Sequence, residues 1–409
     1  MNIAFITYEY PPDTADGGIA TYMYQAAHMM QERGHHVEVF SASGTRNGTG
    51  EENGLLVHRL HTEDAAFCGQ AARAFAARHQ FAKFDVLEGP EYGADAREAV
   101  RLVPDIPFVI KLHTPTFMIE RMNFSRRSLA VRARFYGGAV RRGIPAPWHP
   151  EYGGERLHTL DADEIQTPSL SLGEEVARIW KIDPACIQHV PYPYVPAPAL
   201  LEVPPDTDTQ TVTFLGRLEV RKGVLDLAAA IPLVLRDFPQ ARFRFVGKPL
   251  ISPHANQDMR QYLERHLRPQ AKSVEFCDPV PLAQVPSVLA NTDICVFPSL
   301  WENFPNVCLE SMAAARGVVG SAAGGMAEML AGGQYGLVVP PRNPRKLARA
   351  ICSLLANPAR RKELGRTARA RVLSEYTLYH IGALQEAGYQ RAIEHRRRLG
   401  PRTQAGGDA

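Results

Sequence analysis

Short apolar runs alternate with amphipathic stretches along most of this 409-residue chain. That alternation limits the folds open to it more than any other feature. Residues 2–7 (NIAFIT) read as a buried strand, and residues 8–18, with Pro11, Pro12, Gly17 and Gly18, as a loop. Residues 19–33 then place Ile19, Tyr22, Met23, Ala26, Ala27 and Met30 on one helical face. Gly34 ends that helix, and residues 36–40 form a second strand. Strand-like runs recur at 55–60, 85–88, 108–113, 162–167 and 187–190, with helical stretches at 65–81, 94–103 and 172–180. Such βα repetition predicts a doubly wound parallel sheet. A second series starts at 211, with strands at 211–215, 242–247, 273–276 and 293–297 and helices over 344–355, 358–375 and 378–398. Asn357 before Pro358 suits a helix cap followed by a first-turn proline. Residues 203–209, Pro204-Pro205 followed by polar residues, read as a linker. The expected domains are 1–200 and 201–375, both Rossmann-like, then a helix over 376–398 and a disordered basic, Gly-rich tail over 399–409.

Composition narrows the class. A net charge of +3, with 45% hydrophobic and 22% charged residues, is that of an ordinary globular protein and gives no reason to invoke nucleic acid. Six cysteines without a C-x-x-C pair read as reduced core residues, not a zinc site or disulfide frame. The N-terminal apolar run is too short for a signal peptide, and no stretch approaches the ~18 apolar residues of a membrane span. A cytoplasmic protein is expected. Residues 121–142 are the local exception: seven arginines, no acid, and interleaved apolar residues such as Phe124 and Leu129. They suit an anionic acceptor, the inner membrane face with its acidic lipids, or only a solvated basic face.

Several positions carry candidate chemistry. Residues 297–319 run from a strand end through a loop holding Glu302 to a helix starting near Pro305 and holding Glu310. Open α/β sheets bind ligands at such strand ends, where a helix start offers free N–H groups. Eight helical positions rise roughly 12 Å, against about 5–5.5 Å between the carboxylates of a retaining glycosidase. Glu302 and Glu310 are therefore expected to address separate parts of one long ligand, and a sugar nucleotide fits. Gly17-Gly18 before a helix suits either a simple turn or a phosphate approaching bare backbone. His113 ends a strand, as a structural histidine or as one facing the binding crevice. Arg217 and Lys222 lie between a strand and a helix, where two cations with free amides would make a diphosphate clamp. No metal-ligand cluster is visible.

The run Glu302-Asn303-Phe304-Pro305-Asn306, followed by Leu309-Glu310-Ser311-Met312-Ala313, resembles the Glu-x7-Glu signature of glycosyltransferase family 4, retaining enzymes of the GT-B fold. Gly216-Arg217-Leu218…Lys222-Gly223, Gly324-Gly325 and Tyr335-Gly336-Leu337 match the same pattern. The resemblance implies two Rossmann-like domains facing across a cleft, with the last helix crossing back to the first. It implies a nucleoside diphosphate sugar as co-substrate, UDP foremost, with no other cofactor and no metal. The acceptor would be a sugar, a lipid-linked glycan or a small molecule, and the oligomeric state is left open. Carried over residue by residue, His113, Arg217, Lys222 and Glu302 serve catalysis. Gly17, Gly18, Asn303, Phe304, Asn306 and Glu310 bind the donor. The alternative is a sugar-nucleotide epimerase of the same architecture. Four sites depart from the family pattern: Tyr192-Pro193 replaces an Asn-Gly turn, Cys277-Asp278 a glycine near the base, Ala315 a glycine and Gly317 a proline.

Overall fold

The computed structural model describes residues 1–14, 17–62, 64–125, 133, 137, 138, 141, 146, 148–253 and 257–403. Most of the arginines of the basic stretch 121–142 lie outside them. The chain forms two compact units, Met1–Pro193 with Thr377–Ala409, and Tyr194–Tyr376.

In the first unit the strands are β1 (Asn2–Thr7), β2 (His36–Ser43), β3 (Gly48–Glu52), β4 (Leu55–His61), β5 (Val86–Pro90), β6 (Phe108–Lys111), β7 (Glu164–Thr167) and β8 (Ile187–His189). They form one sheet in the order β3-β4-β2-β1-β5-β6-β7-β8. All pairings are parallel except β3 with β4. β1 and β5 are buried along almost their whole length, as expected for a sheet covered on both faces. β3 is an addition to the sequence reading. Its run GTGEE has no apolar alternation because it is an exposed edge strand. The chain winds outward from β1 to β4, then returns to β5 and winds the other way, so the switch point lies between β1 and β5.

The helix Leu378–Leu399 belongs to this unit. It seats on β5, β6 and β7. A Cβ at Gly388 would lie 2.1 Å from Gln166 Nε2 and 3.1 Å from Glu164 Oε1, so a larger residue there would have to displace both side chains. Beneath the helix Glu88, 0% exposed, accepts hydrogen bonds from Tyr22 Oη (2.6 Å), Tyr389 Oη (2.6 Å) and Gln385 Nε2 (2.7 Å). The equally buried Lys111 donates to Val190 O at 2.7 Å. Burial favours the uncharged form of both groups, raising the Glu88 pKa and pulling Lys111 down to about 7. Order also runs past the expected limit at Arg398. Arg402 donates to Asp163, Ile106 O and Asp161 O, so residues 400–403 are strapped to the first unit.

In the second unit β9 (Thr211–Leu215), β10 (Arg242–Val246), β11 (Val274–Cys277), β12 (Ile294–Phe297), β13 (Gly317–Ser321) and β14 (Leu337–Val339) pair in the order β11-β10-β9-β12-β13-β14. Every pairing is parallel. The helices Val224–Asp237 and Pro344–Ala356 bury Ile231, Val234, Leu347, Ile351 and Leu354 against Phe214, Phe245 and Val296. Asn357 does cap the next helix, accepting the Arg360 N–H at 3.0 Å. The winding reverses between β9 and β12.

The supposed linker 203–209 lies inside this unit. Arg316, 1% exposed, donates to Thr207 Oγ1 (2.9 Å), Thr292 O (2.9 Å) and Pro204 O. Arg361 donates to Thr207 O at 2.8 Å and Arg369 to Val203 O at 2.9 Å. Prolines and polar residues mark a segment without regular structure, but three arginines far along the chain consume its carbonyls. The division between units falls at Pro193–Tyr194, because the Tyr194 N–H bonds Tyr376 O at 2.8 Å within the second unit.

Candidate functional site

At the switch point of the second sheet, the loops after β9 and β12 meet. Glycines make the meeting possible. Gly223 has φ +71°, and a Cβ there would lie 1.9 Å from Pro298 O. Leu300 N–H bonds Arg221 O at 2.8 Å, tying the two loops. The Glu302 backbone is fixed from the other side, since Gly325 N–H bonds Glu302 O at 2.9 Å and a Cβ on Gly324 would lie 2.0 Å from that oxygen. The Glu302 side chain therefore projects from a backbone gripped by two neighbouring loops.

Lys222 Nζ lies 2.6 Å from Glu302 Oε1, and Arg221 Nη1 lies 3.4 Å from the same oxygen. Arg221 also pairs with Glu219 at 3.0 Å, and Arg217 reaches Glu219 at 3.4 Å. The side chains of Glu302, Arg221 and Lys222 are 8, 12 and 17% exposed, whereas Arg217 is half exposed. Burial pushes the Glu302 carboxyl up, but Lys222 and Arg221 outweigh it and hold the group below its ordinary value. For Lys222, burial wins over Glu302 and lowers the pKa. Three cations thus crowd one strand end, shared between two carboxylates. Arg221 was missed in the sequence. The signal was the Arg221-Lys222 doublet before Gly223, but nothing local says that Arg221 folds inward to Glu302 while Arg217 stays half in water.

The helix Asn306–Ala313 begins at Pro305, which is the N-cap and not a first-turn residue (φ −75°, ψ 121°), and no side chain caps the start. Asn303 and Phe304 are buried in the loop just before it, Phe304 edge-on to Tyr376 at 5.4 Å. Glu310 sits inside the helix, 8% exposed, and burial pushes its carboxyl up to about 7. Two carboxylates eight positions apart are therefore shifted in opposite directions, Glu302 down by its cations and Glu310 up by burial. Environments that push pKa values apart in this way mark functional sites.

The first unit carries the remaining candidates after β1 and β6, the two strands that flank β5. Gly17 is the extended N-cap of the helix Gly18–Glu32, and no side chain caps that start. A Cβ on Gly17 would lie 2.9 Å from Glu9 Oε2, whereas one on Gly18 meets nothing within 4 Å among the described residues. The Glu9 contact is with the far end of a side chain, so among the described residues packing requires neither glycine. His113, 6% exposed, follows β6. Its backbone N–H faces both Glu91 oxygens at 2.9 and 2.7 Å, and its Nδ1 meets the Tyr192 hydroxyl. Burial, with Lys111 adding to it, takes the imidazole down to about 3, so the ring is neutral at ordinary pH. Glu91 is raised to about 8 by burial and by Glu155. Glu155 accepts from Gly93 N–H (3.2 Å) and Thr116 N–H (2.9 Å), which staples the loops after β5 and β6. The structure brings Arg217, Lys222 and Glu302 together in one unit, with Asn303, Phe304, Asn306 and Glu310 on the adjoining loop and helix. Gly17, Gly18 and His113 belong to the other.

Two wound sheets, each with candidate residues at the carboxyl ends of its strands, define an α/β protein of two Rossmann-like units. The family model described as "Glycosyl transferase 4-like domain" matches residues 17–193, and that described as "Glycosyl transferases group 1" matches residues 209–357. The chain is similar to the D-inositol 3-phosphate glycosyltransferase of Kineococcus radiotolerans, with 27% identity over 94% of this chain and 93% of that one. The solved sucrose-phosphate synthase of Thermosynechococcus elongatus has a TM-score of 0.72, with 22% identity over 96% of this chain and 99% of that one. The solved HepE of Anabaena, in complex with UDP-glucose, has a TM-score of 0.67, with 15% identity over 95% of this chain and 99% of that one. The chain belongs to the family 4 type of glycosyltransferases, with the GT-B fold. It is a glycosyltransferase, and this takes the place of the epimerase alternative.

Proposed function

We propose that this glycosyltransferase moves a hexose from a nucleoside diphosphate donor, UDP foremost, to a carbohydrate or lipid-linked acceptor, with retention at the anomeric carbon and without a metal. The observation that carries this reading is the Arg221–Lys222–Glu302 cluster at the β9/β12 switch point, with Arg217 half exposed beside it. As the bond from the anomeric carbon to the β-phosphate oxygen breaks, negative charge grows on the diphosphate. Lys222 and Arg217 stabilise that charge from fixed positions, the kind of interaction that is often the largest catalytic term. The acceptor oxygen bonds the anomeric carbon on the face the phosphate leaves, and its proton passes to the departing phosphate. Glu302 and the amides of Asn303, Phe304 and Asn306 hold the sugar hydroxyls, and Glu310 accepts from the ribose. Gly17 and Gly18 leave backbone bare for phosphate or acceptor, and His113 lines sugar and β-phosphate.

UDP as the nucleotide is supported by the name of the Anabaena complex, and an anionic acceptor by that of the inositol phosphate relative. Among the described residues no helix is long and apolar enough to cross a membrane. A cytoplasmic site of action, with contact to acidic lipids through residues 121–142, is part of the proposal. Flotation with anionic vesicles tests that contact. A thermal-shift series of nucleotide sugars, followed by NMR of the products in EDTA, tests the reaction. We expect a UDP-sugar to give the largest shift and an anomer of unchanged configuration. Inversion, or turnover abolished by EDTA and restored by a divalent cation, would contradict it.

A further inference from the structure

The turn after β8 holds a side chain with no role so far. Tyr192 is 5% exposed, its ring 4.7 Å from that of Tyr22 and 5.4 Å from that of His113. Its hydroxyl lies 2.5 Å from His113 Nδ1 and 3.3 Å from Leu112 O. A phenol has a single proton to give. The imidazole nitrogen is both the nearer acceptor and a stronger base than an amide carbonyl, so the proton points to Nδ1. A neutral ring whose Nδ1 accepts must carry its own hydrogen on Nε2. Burial and the neighbouring Lys111 keep the ring neutral. Glu91 fixes the same residue through its backbone N–H, so His113 is held at both ends.

We propose that Tyr192 is a positioning residue that locks His113 as the Nε2–H tautomer, so that the ring offers a neutral hydrogen-bond donor to an anionic or hydroxyl oxygen of the sugar donor. The identity of that oxygen rests on the proposed reaction, but the tautomer does not.

The test is long-range ¹H–¹⁵N spectroscopy of the full chain labelled at histidine, with His113 assigned by its loss in His113→Gln. The wild-type ring is expected as the Nε2–H tautomer. Tyr192→Phe keeps the ring stack and should populate the Nδ1–H form. It should also lower kcat/KM for the nucleotide sugar by about tenfold, the worth of one hydrogen bond, with the acceptor KM unchanged. A wild-type ring protonated at Nδ1 overturns the proposal without any variant, and so does an unchanged tautomer ratio in a folded Tyr192→Phe. Failure of the wild type to turn over any nucleotide sugar would sink the reaction and leave the tautomer standing. An active enzyme with an Nδ1–H ring would sink only the lock.

Discussion

Glu310 shows how a buried carboxylate lowers the stability of its own fold. Its carboxyl titrates near 4.5 when unfolded and near 7 when buried in the helix. Between those values the folded chain keeps a proton that the unfolded chain has released. Its contribution is therefore fully present below about pH 4.5 and is lost as pH rises through about 7. Glu310→Gln removes that loss. The variant should be more stable than the wild type by up to about 3 kcal/mol at pH 8 and nearly equal to it at pH 4.5. Urea unfolding at the two pH values measures the difference, and donor affinity should fall in the same variant. Ala315 gives a second residue-level test. It stands where the family has glycine, in the left-handed region at φ +54°. Ala315→Gly should raise stability by about 1 kcal/mol, read as a higher urea midpoint at unchanged slope.

At the scale of elements, the alternation of strands and helices was legible because the inner strands of both sheets are buried on both faces and stand out as apolar runs, while the exposed edge strand β3 does not. Loops at strand ends followed from that order, and Arg217, Lys222, Glu302 and His113 do sit on such loops. What the sequence hid is chemistry between distant positions. Glu88 and Lys111 look like surface charges in a local window, yet Glu88 is buried and takes a proton donor from Tyr389, 301 positions away. Arg316 is likewise buried and donates to Pro204 O and Thr207 Oγ1 of the supposed linker. Apolar patterning cannot flag a buried charge, because its partner lies outside any window. Tyr389→Phe leaves Glu88 one donor short and should cost about 1–3 kcal/mol of stability, measured by chemical unfolding. A cost near zero would show that the Tyr389 hydroxyl does not help to hold the helix Leu378–Leu399.

For the whole molecule, the two units carry separate candidate residues at the carboxyl ends of their own sheets, so a nucleotide should mark one of them first. Hydrogen exchange with UDP is expected to protect residues 216–223 and 298–310, the loops that hold Lys222 and Glu302. Protection confined to the first unit would contradict the placement of the diphosphate. The most direct measurement compares single-turnover transfer from the best nucleotide sugar in wild type, Lys222→Ala and Arg217→Ala. Each variant should fold and bind acceptor, yet lose about 10²–10³ in rate, the worth of one charge-stabilising contact to a developing anion. Folded variants that transfer at the wild-type rate would show that the leaving diphosphate is not stabilised by these cations.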